Sequence, residues 1–324
     1  MSFPVNVYLL ALLGALGTTL LALPLWRAWC LRVGHVDDPG HRKIHEAPTP
    51  LAGGLAVMTG FAVPLLAAWL ALRLHVFSPE TVALLRHGFG RRYDQLLAIL
   101  VGGLGMVVLG WLDDKHELRP ALKFGGQVLI AGLVAASGLR ITLFVPSLAF
   151  SYAVTILWIL TVVNAFNFMD NMNGLCAGLG AIAAAAFALS AALHGQYLVA
   201  LLAWLTCGAL LGFLPYNFPK ASAFLGDAGS HLVGYLLAVL AILPHFYSKE
   251  NPERLAVFSP LLILAVPLAD LVWVVILRWR LGKPFYIGDT NHLSHRLVRR
   301  GFNRTHAVLL IWLLAAVLSG LTFL

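Results

Sequence analysis

Residues 94–114 read DQLLAILVGGLGMVVLGWLDD: Leu96 to Leu112 carry no charge, and the run then stops on two adjacent carboxylates, Asp113 and Asp114. About 20 apolar residues, at 1.5 Å of helix rise each, are what the hydrocarbon core of a bilayer requires. The stretch therefore predicts a membrane-crossing helix with acids at one interface. Working outward from it, the same pattern recurs along the chain. Spans of this kind fall at approximately 4–29, 51–74, 94–112, 121–138, 148–168, 175–193, 197–214, 224–243, 258–279 and 306–323, about ten in all.

Composition agrees. Of 324 residues, 60% are hydrophobic and 11% charged, and mean hydropathy is +0.85; a soluble domain carries about a quarter charged residues. The expected fold is an all-α polytopic bundle, because continuous helices satisfy every backbone group in lipid. No soluble domain, linker or low-complexity tract interrupts it, so 1–324 reads as one integral-membrane domain. Cys30, Cys176 and Cys207 all lie in apolar stretches, with no disulfide or metal spacing, and read as small packing residues.

Lys and Arg set the orientation. Placed on alternate sides of the spans, fifteen of the 22 fall on the face that also holds Asp113 and Asp114. The positive-inside rule makes that face cytoplasmic and puts both termini outside. The first span has no Lys or Arg before it and no small-residue cleavage site, so it reads as an anchor. Topology accounts for the net charge of +8, and no nucleic-acid partner is called for.

The cytoplasmic face also collects the acids and amides, brought there by five separate loops. Asp113 and Asp114 close the third span; adjacent carboxylates at a helix C-terminus repel each other and meet the wrong end of the dipole, penalties that a cation between them removes. Glu117 would share their face if the helix continued. The fifth span ends in Asn164, Asn167, Asp170, Asn171 and Asn173, a turn of hard oxygen donors of the kind Mg²⁺ takes; Asn173 reads equally as an N-cap of the next helix. The eighth span opens Phe224-Leu-Gly-Asp227-Ala-Gly-Ser230, where the dipole favours an ionised Asp227 and exposed N–H groups offer an oxyanion cradle. The last loop holds Asp289, His292, His295 and Arg296 within a basic run that includes Arg278, Arg299, Arg300 and Arg304; that run reads either as a phosphate binder or as an anchor to anionic lipid. The first loop holds Arg42, Lys43 and His45, then Pro48, Pro50, Gly53 and Gly54. Acids suit a divalent ion and bases suit phosphates, so a metal–diphosphate substrate would use both, and phosphoryl transfer consists mostly of positioning and charge neutralisation.

These motifs, in this order and over nearly the whole chain, resemble glycosyl transferase family 4, the polyprenyl-phosphate N-acetylhexosamine-1-phosphate transferases. The last loop is most similar to the branch that makes lipid-linked N-acetylglucosamine. The resemblance implies a Mg²⁺-dependent enzyme, with Mn²⁺ as a substitute, in the bacterial cytoplasmic membrane. Its substrates would be a UDP-N-acetylhexosamine, foremost UDP-N-acetylglucosamine, and undecaprenyl phosphate, at the first membrane step of a cell-envelope polysaccharide; a homodimer is compatible with it. It further implies that Asp227 and Asn173 hold the ion and that Phe224 stacks on uracil beside Asn167 and Asn217. Asp113 or Asp114 would orient or deprotonate the lipid phosphate, with Asp170 in the same catalytic group. His292, His295 and Arg296 would bind phosphate or sugar, and Arg42, Lys43 and His45 the donor or lipid phosphate. The chain departs from the family at Asn173, where bacterial relatives commonly have Asp, at Asn171 for Gly, at Glu117 for a third Asp, and at Ser294 for a middle His.

Asp270 sits well inside a span, at a cost of about 2.5–3.5 kcal/mol for a carboxylate near a helix centre. It is expected to face the bundle and hydrogen-bond a partner in a structural role. The alternative function class is a transporter or flippase for an anionic lipid-linked substrate, which would place its acids near the midplane; here all but Asp270 cluster at helix ends.

Overall fold

A computed structural model describes residues 3–38, 48–74, 76, 92–143, 145–244 and 257–324. The helices are α1 (Val5–Val33), α2 (Gly53–Arg73), α3 (Tyr93–His116), α4 (Pro120–Ala136), α5 (Leu148–Met169), α6 (Leu175–Leu193), α7 (Tyr197–Asn217), α8 (Gly226–Ile242), α9 (Ser259–Ile263), α10 (Ala265–Arg280), α11 (Leu293–Arg299) and α12 (Arg304–Gly320). A two-residue antiparallel ladder, Val36–Asp37 (β1) with Thr49–Pro50 (β2), joins α1 to α2. Apart from that ladder the described residues are all-helical, as the sequence requires. Arg42, Lys43 and His45 fall between β1 and β2, outside the described residues.

Every expected span coincides with helix. Seven of the helices, α1, α2, α3, α5, α6, α7 and α12, are long and apolar enough to cross a membrane by length and composition; α4 and α8 are apolar but shorter, at 17 residues each. The expected span 258–279 is instead broken into α9 and α10. Pro267 has no N–H to offer the carbonyl of Ile263, one turn back, so the hydrogen-bond ladder lapses there and Leu264 leaves helical geometry (φ −99°, ψ 15°).

Helix α8 is the axis of the bundle. Beyond His231 it is apolar on nearly every side, which is the pattern of a buried helix, and Ala228 to Ala241 are buried without a break. It packs against α2, α3, α5 and α6, while α1 packs on α7, α4 on α3 and α5, and α12 on α6. The periphery is apolar and exposed, as at Leu21 and Trp279, which suits lipid rather than water as the outer solvent. Asp227 therefore stands at the end of the most enclosed helix, where neighbouring helix ends converge. The three cysteines are buried and free, in keeping with packing roles.

Candidate active site

Helix α3 stops at His116 because Glu117 adopts the left-handed conformation (φ 46°) and its N–H closes on the carbonyl of Asp113. The helix does not continue, so Glu117 points to solvent rather than sharing the face of the two aspartates. Asp113 and Asp114, on adjacent positions of the last turn, then diverge. Asp114 reaches the N-terminus of α8, where its Oδ1 accepts from the Asp227 N–H at 2.8 Å and its Oδ2 from the Ala228 N–H at 3.2 Å. The oxyanion cradle expected there is thus filled by a side chain of α3. The approach is possible because Gly226 takes a positive φ of 69° and has no Cβ; one would stand 2.7 Å from Asp114 Oδ2.

Asp113 turns the other way. Its Oδ1 accepts from the Leu118 N–H at 2.9 Å, and its Oδ2 lies 2.6 Å from Lys123 Nζ. Lys123, in the first turn of α4, also lies 2.7 Å from Asp227 Oδ2, so one ammonium bridges two carboxylates from different helices. The second oxygen of Asp227, Oδ1, accepts from Asn167 Nδ2 at 2.6 Å, and the same amide donates to Ser230 Oγ at 3.0 Å. Three helix ends, those of α4, α5 and α8, therefore fix Asp227.

The turn 170–174 forms the neighbouring wall. Its Gly174, at φ 77°, is the N-cap of α6. Asn173 is not the cap expected as the alternative reading; its Nδ2 donates to the Pro219 carbonyl at 3.2 Å, and its Oδ1 has no hydrogen-bond partner among the described residues. Asn217 braces the turn from α7: its Oδ1 accepts from the Gly174 N–H at 2.6 Å and its Nδ2 donates to the Ala223 carbonyl at 2.9 Å. Both ends of that amide are spent on the fold, although Asn217 borders the cavity. Burial, followed by the negative charges of Asp227 and Asp114, pushes the Asp170 carboxyl up to about 8. A site with that surplus of negative charge favours a cation.

The last loop is held by three tethers. Asp270 lies 2.6 Å from His292 Nδ1 and accepts from the Leu293 N–H at 2.6 Å, capping α11 from α10, the structural hydrogen bond expected of it. Arg278, fully buried, donates through Nε to Asp289 at 2.8 Å and stacks over Phe168. Burial alone would raise the Asp289 carboxyl; the hydrogen bonds from Arg278 and from the Asn291 N–H outweigh it and hold the group below its ordinary value. Ser294 donates to Asn171 Oδ1 at 2.6 Å, so two departures from the family pattern contact each other. Burial, then the charges of His292, Arg299 and Arg304, depress His295 despite the opposing pull of Asp270.

These walls enclose a cavity of about 1060 Å³. Asp114, Asp170 and Asp227 bring acids to its lining, His295, Arg304 and Lys220 bring basic groups, and Asn167, Asn173 and Phe224 line it too. Asp113, His292 and Arg296 are not among its lining residues: Asp113 is taken by Lys123 and the Leu118 N–H, His292 is buried against Asp270, and Arg296 stacks on Trp273 with 4.6 Å between guanidinium and ring. The sequence reading did not single out Lys123, because one lysine early in an apolar span reads as a snorkelling interface residue; its spacing to Asp113 across a Pro120 helix start was the available signal. Arg304 stood within a basic run that did not distinguish it.

Comparison with known proteins gives the same answer from another direction. The family model for glycosyl transferase family 4 matches residues 96–245. A probable undecaprenyl-phosphate N-acetylglucosaminyl 1-phosphate transferase of Bacillus subtilis (strain 168) is 32% identical over 317 residues, covering 95% of this chain and 82% of the relative. A decaprenyl-phosphate N-acetylglucosaminephosphotransferase of Mycobacterium tuberculosis is 32% identical over 89% of this chain and 75% of its own length. An undecaprenyl-phosphate alpha-N-acetylglucosaminyl 1-phosphate transferase of Escherichia coli (strain K12) is 27% identical over 90% and 76%. On the identity and coverage of these relatives, the chain belongs to glycosyl transferase family 4.

Proposed function

We propose that the chain transfers N-acetylglucosamine 1-phosphate from its UDP-sugar to undecaprenyl phosphate, releasing UMP, at the cytoplasmic face of a bacterial inner membrane. The names of its relatives supply the reaction class. The observation that carries it to these residues is that Asp227, fixed by Lys123 and Asn167, stands in the wall of a cavity that Asp114, Asp170, His295, Arg304 and Lys220 also line. In the reaction a phosphate oxygen of the lipid bonds to the phosphorus that bears the sugar. The bridging oxygen leaves with UMP, and its charge needs neutralising.

Among the described residues no three His, Cys, Asp or Glu side chains form a ready-made ion cage. That suits Mg²⁺, which takes one or two carboxylates and completes its shell with water and substrate phosphates. Asp227 and Asp170, with the free carbonyl oxygen of Asn173, are the donors facing the cavity, and the raised Asp170 carboxyl fits a partner of positive charge. When bound, the ion would supply Lewis-acid neutralisation of the diphosphate. Lys123, itself paired with Asp113, would act through Asp227 by holding its Oδ2 in place. His295, Arg304 and Lys220 would hold the anionic substrate against the acids, and Phe224 offers a ring beside the nucleotide. The cavity-lining Lys220 and Arg304 belong to the side of the spans that carries most of the Lys and Arg, which the positive-inside rule would make cytoplasmic.

The test uses purified protein with radiolabelled UDP-N-acetylglucosamine, undecaprenyl phosphate and Mg²⁺, with Asp227→Ala and chelator in parallel. Label should enter the lipid with release of UMP, and both controls should abolish it. A folded wild-type protein that leaves the label in water with every UDP-N-acetylhexosamine tried would reject the reading.

A further inference from the structure

Beneath the site lies a second polar layer that the proposed chemistry does not use. Gln127 and His231 have essentially no exposed surface. Gln127 follows Lys123 by four residues on α4, His231 follows Asp227 by four on α8, and Asn164 precedes Asn167 by three on α5. The three helices that hold Asp227 therefore each place a second polar residue one turn further in, on the same stripe.

These residues also bond to one another. Asn164 Nδ2 donates to Gln127 Oε1 at 2.8 Å, and Gln127 Nε2 stands 3.5 Å from His231 Nε2. With its oxygen engaged by Asn164, Gln127 turns its amino group to the histidine, and an amino group only donates. His231 Nε2 is then the acceptor and the ring proton sits on Nδ1. Nδ1 is itself buried without a hydrogen-bond partner among the described residues. Buried polar groups of this kind add little stability compared with apolar residues of similar size, and their best-attested use is to fix register.

We propose that Gln127, His231 and Asn164 form a positioning layer that sets the rotation of α4, α5 and α8 about their axes and thereby holds Lys123 and Asn167 on the two oxygens of Asp227. A turn of α8 by one residue would swing Asp227 by about 100° and break both contacts at once. Contact lengths of 2.6 and 2.7 Å leave little slack for smaller rotations. The inference rests on the functional reading above, since the geometry it protects matters only if Asp227 handles the ion and diphosphate.

The experiment compares wild type with Gln127→Leu, His231→Leu, the double leucine variant and His231→Gln, which keeps an acceptor for the Gln127 amide. Three quantities are measured: kcat and both KM values, the unfolding temperature in detergent, and the rise in unfolding temperature caused by Mg²⁺. The leucine variants should unfold at or above the wild-type temperature yet lose about tenfold or more in kcat, with the KM for the lipid within about threefold, and with a smaller Mg²⁺-induced rise. His231→Gln should recover most of the loss. Unchanged kcat and an unchanged Mg²⁺ response in stably folded leucine variants would overturn the proposal, and so would leucine variants that fail to fold, since the layer would then be a requirement of the fold. A wild-type protein that neither transfers sugar phosphate nor responds to Mg²⁺ sinks the functional reading instead.

Discussion

Asp114 accepts from the backbone N–H groups of Asp227 and Ala228, so a side chain of α3 is the N-terminal cap of α8. Two adjacent acids that look interchangeable in sequence thus have different work: Asp114 holds the helix start, and Asp113 holds Lys123. Losing a side-chain cap costs about 0.5–2 kcal/mol. Asp114→Ala should lower the unfolding temperature in detergent, whereas Asp113→Ala should leave it nearly unchanged and act on turnover. Equal losses of stability in both would contradict this division.

Lys123 supplies one ammonium to two carboxylates, and losing preorganised electrostatic support of a group such as Asp227 costs on the order of 100-fold or more in rate. Lys123→Met should therefore lower kcat/KM by at least that factor. Lys123→Arg should recover little of it, because a planar fork does not replace a point charge that sits between two oxygens. Initial rates with labelled donor measure both, and full activity in the arginine variant would show that charge alone suffices.

The raised Asp170 carboxyl makes stability depend on pH in a stated direction. Its value in the folded protein is about 8, and in an unfolded chain about 4. Between these the folded protein holds the extra proton, so the group's contribution to stability declines as pH rises through that window. In chelator, unfolding temperatures should fall from pH 5 toward pH 8 (roughly the span between the two values), and Asp170→Asn should flatten the slope. Mg²⁺ should flatten it too, because a cation favours the ionised form. A slope identical in wild type and Asp170→Asn would remove Asp170 as its source.

Ser294 and Asn171 join α11 to the turn that carries Asp170. Such a hydrogen bond is worth about 0.5–1.5 kcal/mol net. Ser294→Ala and Asn171→Ala should each reduce turnover, and the double variant should lose less than the sum of the two. Strict additivity in the four-way comparison would mean that the contact does not couple them.

Much of the bundle was legible residue by residue. The uncharged run from Leu96 to Leu112, and its counterparts, located helices to within a few residues, because a bilayer demands length and apolarity from each segment separately. The break at Pro267 was overlooked because mean hydropathy does not register a missing backbone donor. For the site, the acids and amides at helix ends were visible as unusual, and Asp227, Asn167, Asp170 and Asn173 do border one cavity. Arg296 and His292 were equally visible as basic residues near a phosphate site, but Trp273 and Asp270 take them.

What the sequence by itself determined is therefore the solvent, the helical class, the approximate spans and the face on which polar chemistry gathers. These follow from composition and from spacing along one segment at a time. Only the tertiary structure decided that Asp113 and Asp114 part company, that Lys123 joins Asp113 to Asp227, that Asn217 is spent on bracing, and that Gln127 meets His231. Each of these is a contact between residues far apart in sequence. It depends on the rotation and depth of two packed helices, and periodicity within either helix alone does not specify that relation.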